Sequence, residues 1–214
     1  MHQTRSEVNK KIPIRRKGTK YVASSKMDRI NSVPVVIAVR DMLKLARTLK
    51  EVEKMIHQKL LKINGQLVKD HRYSVRLFNI LQADKHYKLT LNNLGKFAFE
   101  EDNSKERLCK VINKTLYKKG QLQLNLHEGT NILSKEKINV DDSVYIDFST
   151  KIKKHVAFEK GKKCFIISGK YSGHHGTIKE VLGKTAEIAL DDKSVKVLTK
   201  RSAVVIWKNK QNQQ

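Results

Sequence analysis

Thr48-Leu49-Lys50-Glu51-Val52-Glu53-Lys54-Met55-Ile56-His57-Gln58-Lys59-Leu60-Leu61-Lys62-Ile63-Asn64-Gly65-Gln66-Leu67-Val68 is the stretch from which the rest of the chain is most easily read. Thr48 and Glu51 stand three apart, the spacing of a capping box, in which a hydroxyl and a carboxylate satisfy orphan N–H groups where a helix begins. Leu49, Val52, Met55, Ile56 and Leu60 then recur at roughly helical intervals and predict an amphipathic helix with its apolar face in a core. Beyond it, Leu61 and Ile63, the pair Asn64-Gly65, and Leu67 and Val68 read as strand, tight turn, strand, because both central positions of such a turn need positive φ. Lys44, Arg47, Lys50, Lys54, Lys59, Lys62 and Lys69 run through the same unit. They cannot share the core, so they face water or a polyanion.

Working outward, Pro34 suits the first turn of a preceding helix, and Val35, Val36, Ile37, Val39, Met42, Leu43, Leu45 and Ala46 predict one that is apolar on most faces and therefore buried. Downstream, a strand is expected over 77–81. A second hairpin follows, 87–91 with 96–99, around Asn92-Asn93-Leu94-Gly95. The acidic stretch 100–106 is poor in apolar residues and reads as a boundary. Leu108, Val111 and Ile112, then Leu122, Leu124 and Leu126, then Val144, Tyr145, Ile146 and Phe148 predict a β-rich middle region, and 151–155 looks like a short basic linker. Between 156 and 207, five short apolar runs with glycines crowded into the first turn predict a small barrel of SH3 type. The closing residues 208–214 are polar and are expected to fray.

Charge sets the class of partner. The 214 residues include 45 Lys and Arg against 21 Asp and Glu, a formal charge of +24 and a pI near 10.0. The excess is spread: 17 basic and 6 acidic residues lie in 1–71, 16 and 10 in 72–155, and 12 and 5 in 156–214. A peripheral membrane protein concentrates its charge in one polybasic segment or helix, whereas a chain lying against folded nucleic acid meets phosphate from several sides. Residues 1–34 are the most one-sided, with Lys10, Lys11, Arg15, Arg16, Lys17, Lys20, Lys26 and Arg29 against Glu7 and Asp28. They have no sustained period, and an extension that orders only on a phosphate-rich surface is expected.

Catalytic chemistry finds no constellation. His127-Glu128 lacks the second histidine of HExxH, since position 131 is Asn, and Gly183-Lys184-Thr185 lacks the earlier glycine of a phosphate loop because position 178 is Ile. No Gly-x-Ser-x-Gly elbow and no metal-ligand cluster appears, and Cys109 and Cys164 stand far apart and read as two small reduced hydrophobes. No cofactor, no metal and no small-molecule substrate is expected. No apolar run is long enough to span a bilayer, and no membrane partner is expected.

Three motifs carry resemblances. Within 161–181, Phe165, Ile167, Gly169, Gly173, Gly176 and Ile178 resemble the KOW motif of ribosomal and transcription-elongation proteins, with Lys170, Tyr171, His174 and His175 at its loop tip. Residues 35–81, through Ile63-Asn64-Gly65-x-x-Val68 after the capped helix, resemble the small RNA-binding module shared by bacterial ribosomal protein S4, several pseudouridine synthases and some tyrosyl-tRNA synthetases. Ile14-x-Arg16-Lys17-Gly18-Thr19-Lys20, Val39-Arg40-Asp41 with Leu45-Ala46, and Gln123-Leu124-Asn125-Leu126-His127-Glu128-Gly129-x-Asn131 look like the archaeal and eukaryotic small-subunit ribosomal protein family S4e. That resemblance extends over about 12–206.

The resemblance implies a multi-domain α+β chain: a basic extension (1–34), an α-L-type helix-hairpin RNA-binding module with its following strands (35–100), a central β-rich domain (101–155) and an SH3-like KOW barrel (156–214). It implies a non-enzymatic constituent of the small ribosomal subunit, in the cytoplasm, whose partners are small-subunit ribosomal RNA and neighbouring ribosomal proteins. The expected RNA-binding residues are Arg15, Arg16, Lys17, Lys20, Arg40, Lys44, Arg47, Lys54, Lys59, Lys62, Lys69, Lys170 and His174. The alternatives are an RNA-modifying enzyme or a transcription-associated KOW protein using the same module. Residues 101–155 are too few for a catalytic domain of about 150 to 200 residues.

Overall fold

The computed structural model describes residues 2–117, 120–190 and 194–206. They fall into two compact units, Met1–Asn92 with Lys96–Ser104, and Asn93–Gly95 with Lys105–Gln214. Strands dominate and helices are few, the coarse architecture that the short apolar runs predict. Residues 207–214, with the fraying expected over 208–214, lie outside the described residues.

In the first unit, β1 (His2–Thr4) and β2 (Tyr21–Ala23) pair antiparallel. The basic extension, which has no sustained period in the sequence, thus contains a regular strand pair. Two apolar anchors explain it: Ile12 is 4% and Val22 8% exposed. Backbone ties add to them, with the Phe97 N–H donating to the Lys11 carbonyl at 2.8 Å and the Asn9 side-chain amide to the Ile30 carbonyl at 2.8 Å. Isolated anchors of this kind have no period and escape pattern reading.

β3 (Ser32–Pro34) leads into α1 (Val35–Ile37), which passes at once into a π-helical turn over Ala38–Met42. The helix expected as far as Ala46 stops there. Leu43 N–H bonds back to the Ala38 carbonyl at 2.9 Å, Leu45 N–H to Val39 at 2.9 Å, and Lys44 sits at φ 59°. π turns of this kind concentrate at functional sites.

The opening stretch forms the helix and hairpin read from it, though not with the whole expected core face. α2 (Leu49–His57) is capped by Thr48, whose Oγ1 accepts from Glu51 N–H at 3.3 Å, while Glu51 Oε2 accepts from Arg47 N–H at 2.7 Å. The Arg47 N–H first, and then Thr48, hold the Glu51 carboxyl below its usual range. Its C-terminus is closed by Leu60 N–H on the Met55 carbonyl and Lys59 N–H on Ile56, the Schellman pattern, with Lys59 at φ 59° where glycine is usual. β4 (Lys62–Ile63) and β5 (Gln66–Leu67) flank Asn64 at φ 51° and Gly65 at 82°. Leu49 (38% exposed) and Leu60 (51%) are not in the core as expected; they flank the helix ends, and Val52 and Ile56 supply its buried face.

β6 (Ser74–Arg76) pairs with β3, and β7 (Ile80–Gln82), β8 (His86–Leu91) and β9 (Phe97–Glu101) complete a sheet of order β5-β4-β7-β8-β9. The second expected hairpin is thus β8-β9.

The second unit holds two five-stranded antiparallel sheets. One comprises β10 (Glu106–Leu116), β11 (Leu122–Leu126), β12 (Asn131–Ser134), β13 (Ser143–Asp147) and β14 (Ile152–Val156), in the order β12-β11-β10-β13-β14. The stretch read as a linker, 151–155, is mostly this edge strand, paired with β13. Its run of lysines misleads because an edge strand keeps charge on its open side.

The other sheet comprises β15 (Lys163–Ile166), β16 (His175–Leu182), β17 (Thr185–Leu190), β18 (Val195–Thr199) and β19 (Ala203–Val205), in the order β18-β17-β16-β15-β19. Five strands occur here, as the apolar runs predict. Gly173 takes φ 94° in the β15-β16 connection. At Gly176 a Cβ would lie 2.8 Å from the Ala189 carbonyl oxygen, so the β16-β17 approach requires glycine.

Candidate nucleic-acid interface

Within the first unit a cleft of about 910 Å³ opens between the folded extension and the helix-hairpin region. The extension supplies Arg5, Arg15 and Lys17, the π turn and its exit supply Arg40 and Lys44, and Arg72 comes from the segment between β5 and β6. Asp41 is the only carboxylate among the lining residues. Six cations against one anion give the cleft a strongly positive field, and low-dielectric walls focus such fields. Its wall also includes Pro13, Ile14, Val36, Leu49 and Tyr21. Leu49 is exposed because it forms this wall.

Arg5, Arg40 and Arg72 are each held differently. Arg5 is a structural clamp: Nε donates to the Thr19 carbonyl at 2.8 Å, Nη1 to the Arg15 carbonyl at 2.5 Å and Nη2 to Thr19 Oγ1 at 3.0 Å. This fork fixes the loop that carries Arg15 and Lys17. Arg40 is engaged bidentately by its neighbour, Nε on Asp41 Oδ1 at 3.0 Å and Nη2 on Oδ2 at 2.8 Å, which raises its proton affinity further. Asp70 lies beside Arg72 Nη2 at 3.5 Å and His71 Nδ1 at 3.7 Å, and its carboxyl is held below the usual range first by the Arg72 backbone N–H at 2.8 Å. Arg72 Nε is buried without a hydrogen-bond partner among the described residues.

Of the thirteen expected binding residues, the cleft gathers four: Arg15, Lys17, Arg40 and Lys44. Arg16 and Lys20 are exposed on the same extension. Arg47, Lys54, Lys59, Lys62 and Lys69 are exposed around α2 and the β4-β5 hairpin without lining it. Lys170 and His174 belong to the second unit. There Lys170 and Lys196 approach the Tyr171 ring at 5.9 and 5.7 Å, while His174 is partly buried, with its N–H donating to the Tyr171 carbonyl at 3.2 Å. Sequence reasoning missed Arg5, Arg72 and Tyr21. Arg5 was legible as a basic residue of the extension; its role as a clamp was not.

The motif around His127 is structural. His127 Nδ1 accepts from the Lys110 backbone N–H at 3.1 Å, and Glu128 forms a buried pair with Arg107 at 2.8 Å. Burial and the neighbouring Glu128 push the Cys109 thiol well up, so it is inert.

A β-rich chain of formal charge +24, with an apolar-walled cleft lined by six cations and one carboxylate, has the make-up of a polyanion-binding protein. The profile described as "Ribosomal family S4e" matches residues 83–152. The chain is 30% identical over 188 residues to small ribosomal subunit protein eS4 of Methanocella arvoryzae, covering 84% of this chain and 80% of that protein. It is 32% identical over 186 residues to the eS4 protein of Archaeoglobus fulgidus, covering 84% and 79%. The crystal structure of 30S ribosomal protein S4e from Thermoplasma acidophilum superposes with a TM-score of 0.71 at 22% identity, over 82% of this chain and 95% of that one. This chain belongs to the S4e family of ribosomal proteins.

Proposed function

We propose that this protein is a structural, non-enzymatic constituent of the small ribosomal subunit that binds ribosomal RNA through its basic surfaces. The family membership supports the role, and the observation that carries the binding mode is the cleft with six cations against one carboxylate. Its mechanism is neutralisation of phosphate with release of condensed counterions, the cationic groups following the backbone of folded RNA. In this reading residues 35–100 are the α-L-type module, 101–155 the central β domain and 156–214 the SH3-like KOW barrel. The φ of Gly173 and the close approach at Gly176 support the last. Small-subunit ribosomal RNA and neighbouring ribosomal proteins are the partners, in the cytoplasm.

Sedimentation of cell extract tests the role. The tagged protein is expected to travel with the small subunit at low salt; recovery at the top of the gradient while the subunit forms normally contradicts it.

A further inference from the structure

The cleft has more than charge. Tyr21 stands on β2 in the wall, 50% exposed, the ring contacted edge-on by His2 at a centroid distance of 4.4 Å and an interplanar angle of 65°. The register explains the pairing of rings: His2 lies opposite Ala23 and Thr4 opposite Tyr21, so the two rings are diagonal neighbours on one face of the β1-β2 ribbon. Lys20 Nζ lies 5.4 Å from the same ring, on an exposed side chain that a stacking partner displaces at small cost. Ile14 and Leu49 add apolar surface to the wall, with Arg15, Lys17 and Lys44 around it.

Duplex backbone needs only the cations. An exposed aromatic ring and an apolar wall inside a cationic cleft fit a base that has left its helix, because unpaired bases stack on aromatic side chains while neighbouring phosphates meet Arg and Lys. We propose that this cleft takes an unpaired nucleotide of RNA, the base stacked on Tyr21 and the flanking phosphates held by Arg15, Lys17 and Lys44. The volume of about 910 Å³ is ample for one nucleotide. This rests on the reading of the cleft as an RNA site and adds to it: one position of the RNA is recognised by its unstacked base. A stacked base releases no counterion, so its contribution is insensitive to salt where that of the cations is steep.

The test uses the full-length protein and two probes, a single-stranded oligoadenylate decamer and a fully paired ten-base-pair RNA duplex, titrated at several salt concentrations. Tyr21→Ala is expected to weaken the oligoadenylate complex about 10-fold with its salt slope unchanged, to leave the duplex complex within about twofold, and Tyr21→Phe to bind as the wild type does. Tyr21→Leu keeps apolar bulk at this position and serves if Tyr21→Ala does not fold; it is expected to lose the same preference for the single strand. Equal losses on both probes, or no loss on either, overturns the inference. The triple variant Arg15→Ala, Lys17→Ala, Lys44→Ala separates the two claims. If it weakens both probes while Tyr21→Ala weakens neither, only the stacking role falls; if it weakens neither, the cleft is not the RNA site and both fall.

Discussion

Lys110 on β10 donates from Nζ to the carbonyl oxygen of Ala203 on β19 at 2.6 Å, joining the two sheets of the second unit. The same ammonium donates to the Lys200 carbonyl and lies 3.2 Å from Asp141 Oδ1, with its side chain 3% exposed. A second tie runs from the Val205 N–H to Ser143 Oγ at 2.9 Å. In a chain full of solvated lysines, this one is a buried structural bolt. Lys110→Ala removes the donor and leaves two carbonyls and a carboxylate without it, at a cost of about 3 kcal/mol, to be read from urea unfolding of the second unit. Unchanged stability would mean that the sheets are held by their apolar contacts alone.

Burial lowers the proton affinity of Lys110, and Asp141 offsets this only in part. Between that lowered pKa and the ordinary lysine value the folded chain binds fewer protons than the unfolded one, so this group's contribution to stability rises as pH climbs through the window. Lys110→Met has no such proton. The difference in unfolding free energy between wild type and Lys110→Met is therefore expected to move in favour of the wild type as pH rises towards the ordinary lysine pKa of about 10.4; a constant difference contradicts the account.

Asp41 holds the guanidinium of Arg40 and is the cleft's only carboxylate. An exposed pair of this kind is worth no more than about 1 kcal/mol, so phosphate can displace it. Asp41→Asn is expected to raise RNA affinity about two- to fivefold at low salt, the gain fading as salt is added, as titration at two salt concentrations would show. Weaker binding would mean that Asp41 orients Arg40.

Lys59 occupies a helix C-terminal position at φ 59° that glycine adopts without penalty. Lys59→Gly is expected to stabilise the free protein by about 1 kcal/mol, seen as a higher Tm. If Lys59 also contacts phosphate, the slope of log affinity against log salt falls by about 0.9; an unchanged slope marks Lys59 as solvated only.

Gly173→Val places a β-branched side chain at φ 94° and is expected to lower the stability of the second unit by about 1 to 3 kcal/mol. Thermal unfolding reads it, and an unchanged transition would remove the turn as a determinant of that sheet.

What sequence reading recovered was whatever is local and periodic. Thr48 and Glu51 announce α2, Asn64-Gly65 the β4-β5 turn and Asn92 to Gly95 the next hairpin, because capping and turn chemistry need specific residues at fixed spacing. What it lost is tertiary. Ile12 and Val22 fold the extension as single anchors without a period, the π turn after Ile37 shortens a helix whose apolar pattern continues to Ala46, and the lysines of 151–155 hide an edge strand. Arg15, Lys17, Arg40 and Lys44 were visible as basic residues but not as neighbours. Their meeting depends on Arg5, whose fork sets the loop, and on the exit from the π turn, neither of which has a sequence signature.

The cleft's phosphate role is tested most directly by the salt dependence of affinity for small-subunit ribosomal RNA, compared between the wild type and a variant with Arg15, Lys17, Arg40 and Lys44 all changed to Ala. The account predicts that the slope of log affinity against log salt becomes shallower by about 3 to 4, at about 0.9 per lost phosphate contact, with the Tm of the free protein nearly unchanged because all four side chains lie at the surface of the cleft. An unaltered slope in a folded variant would contradict it.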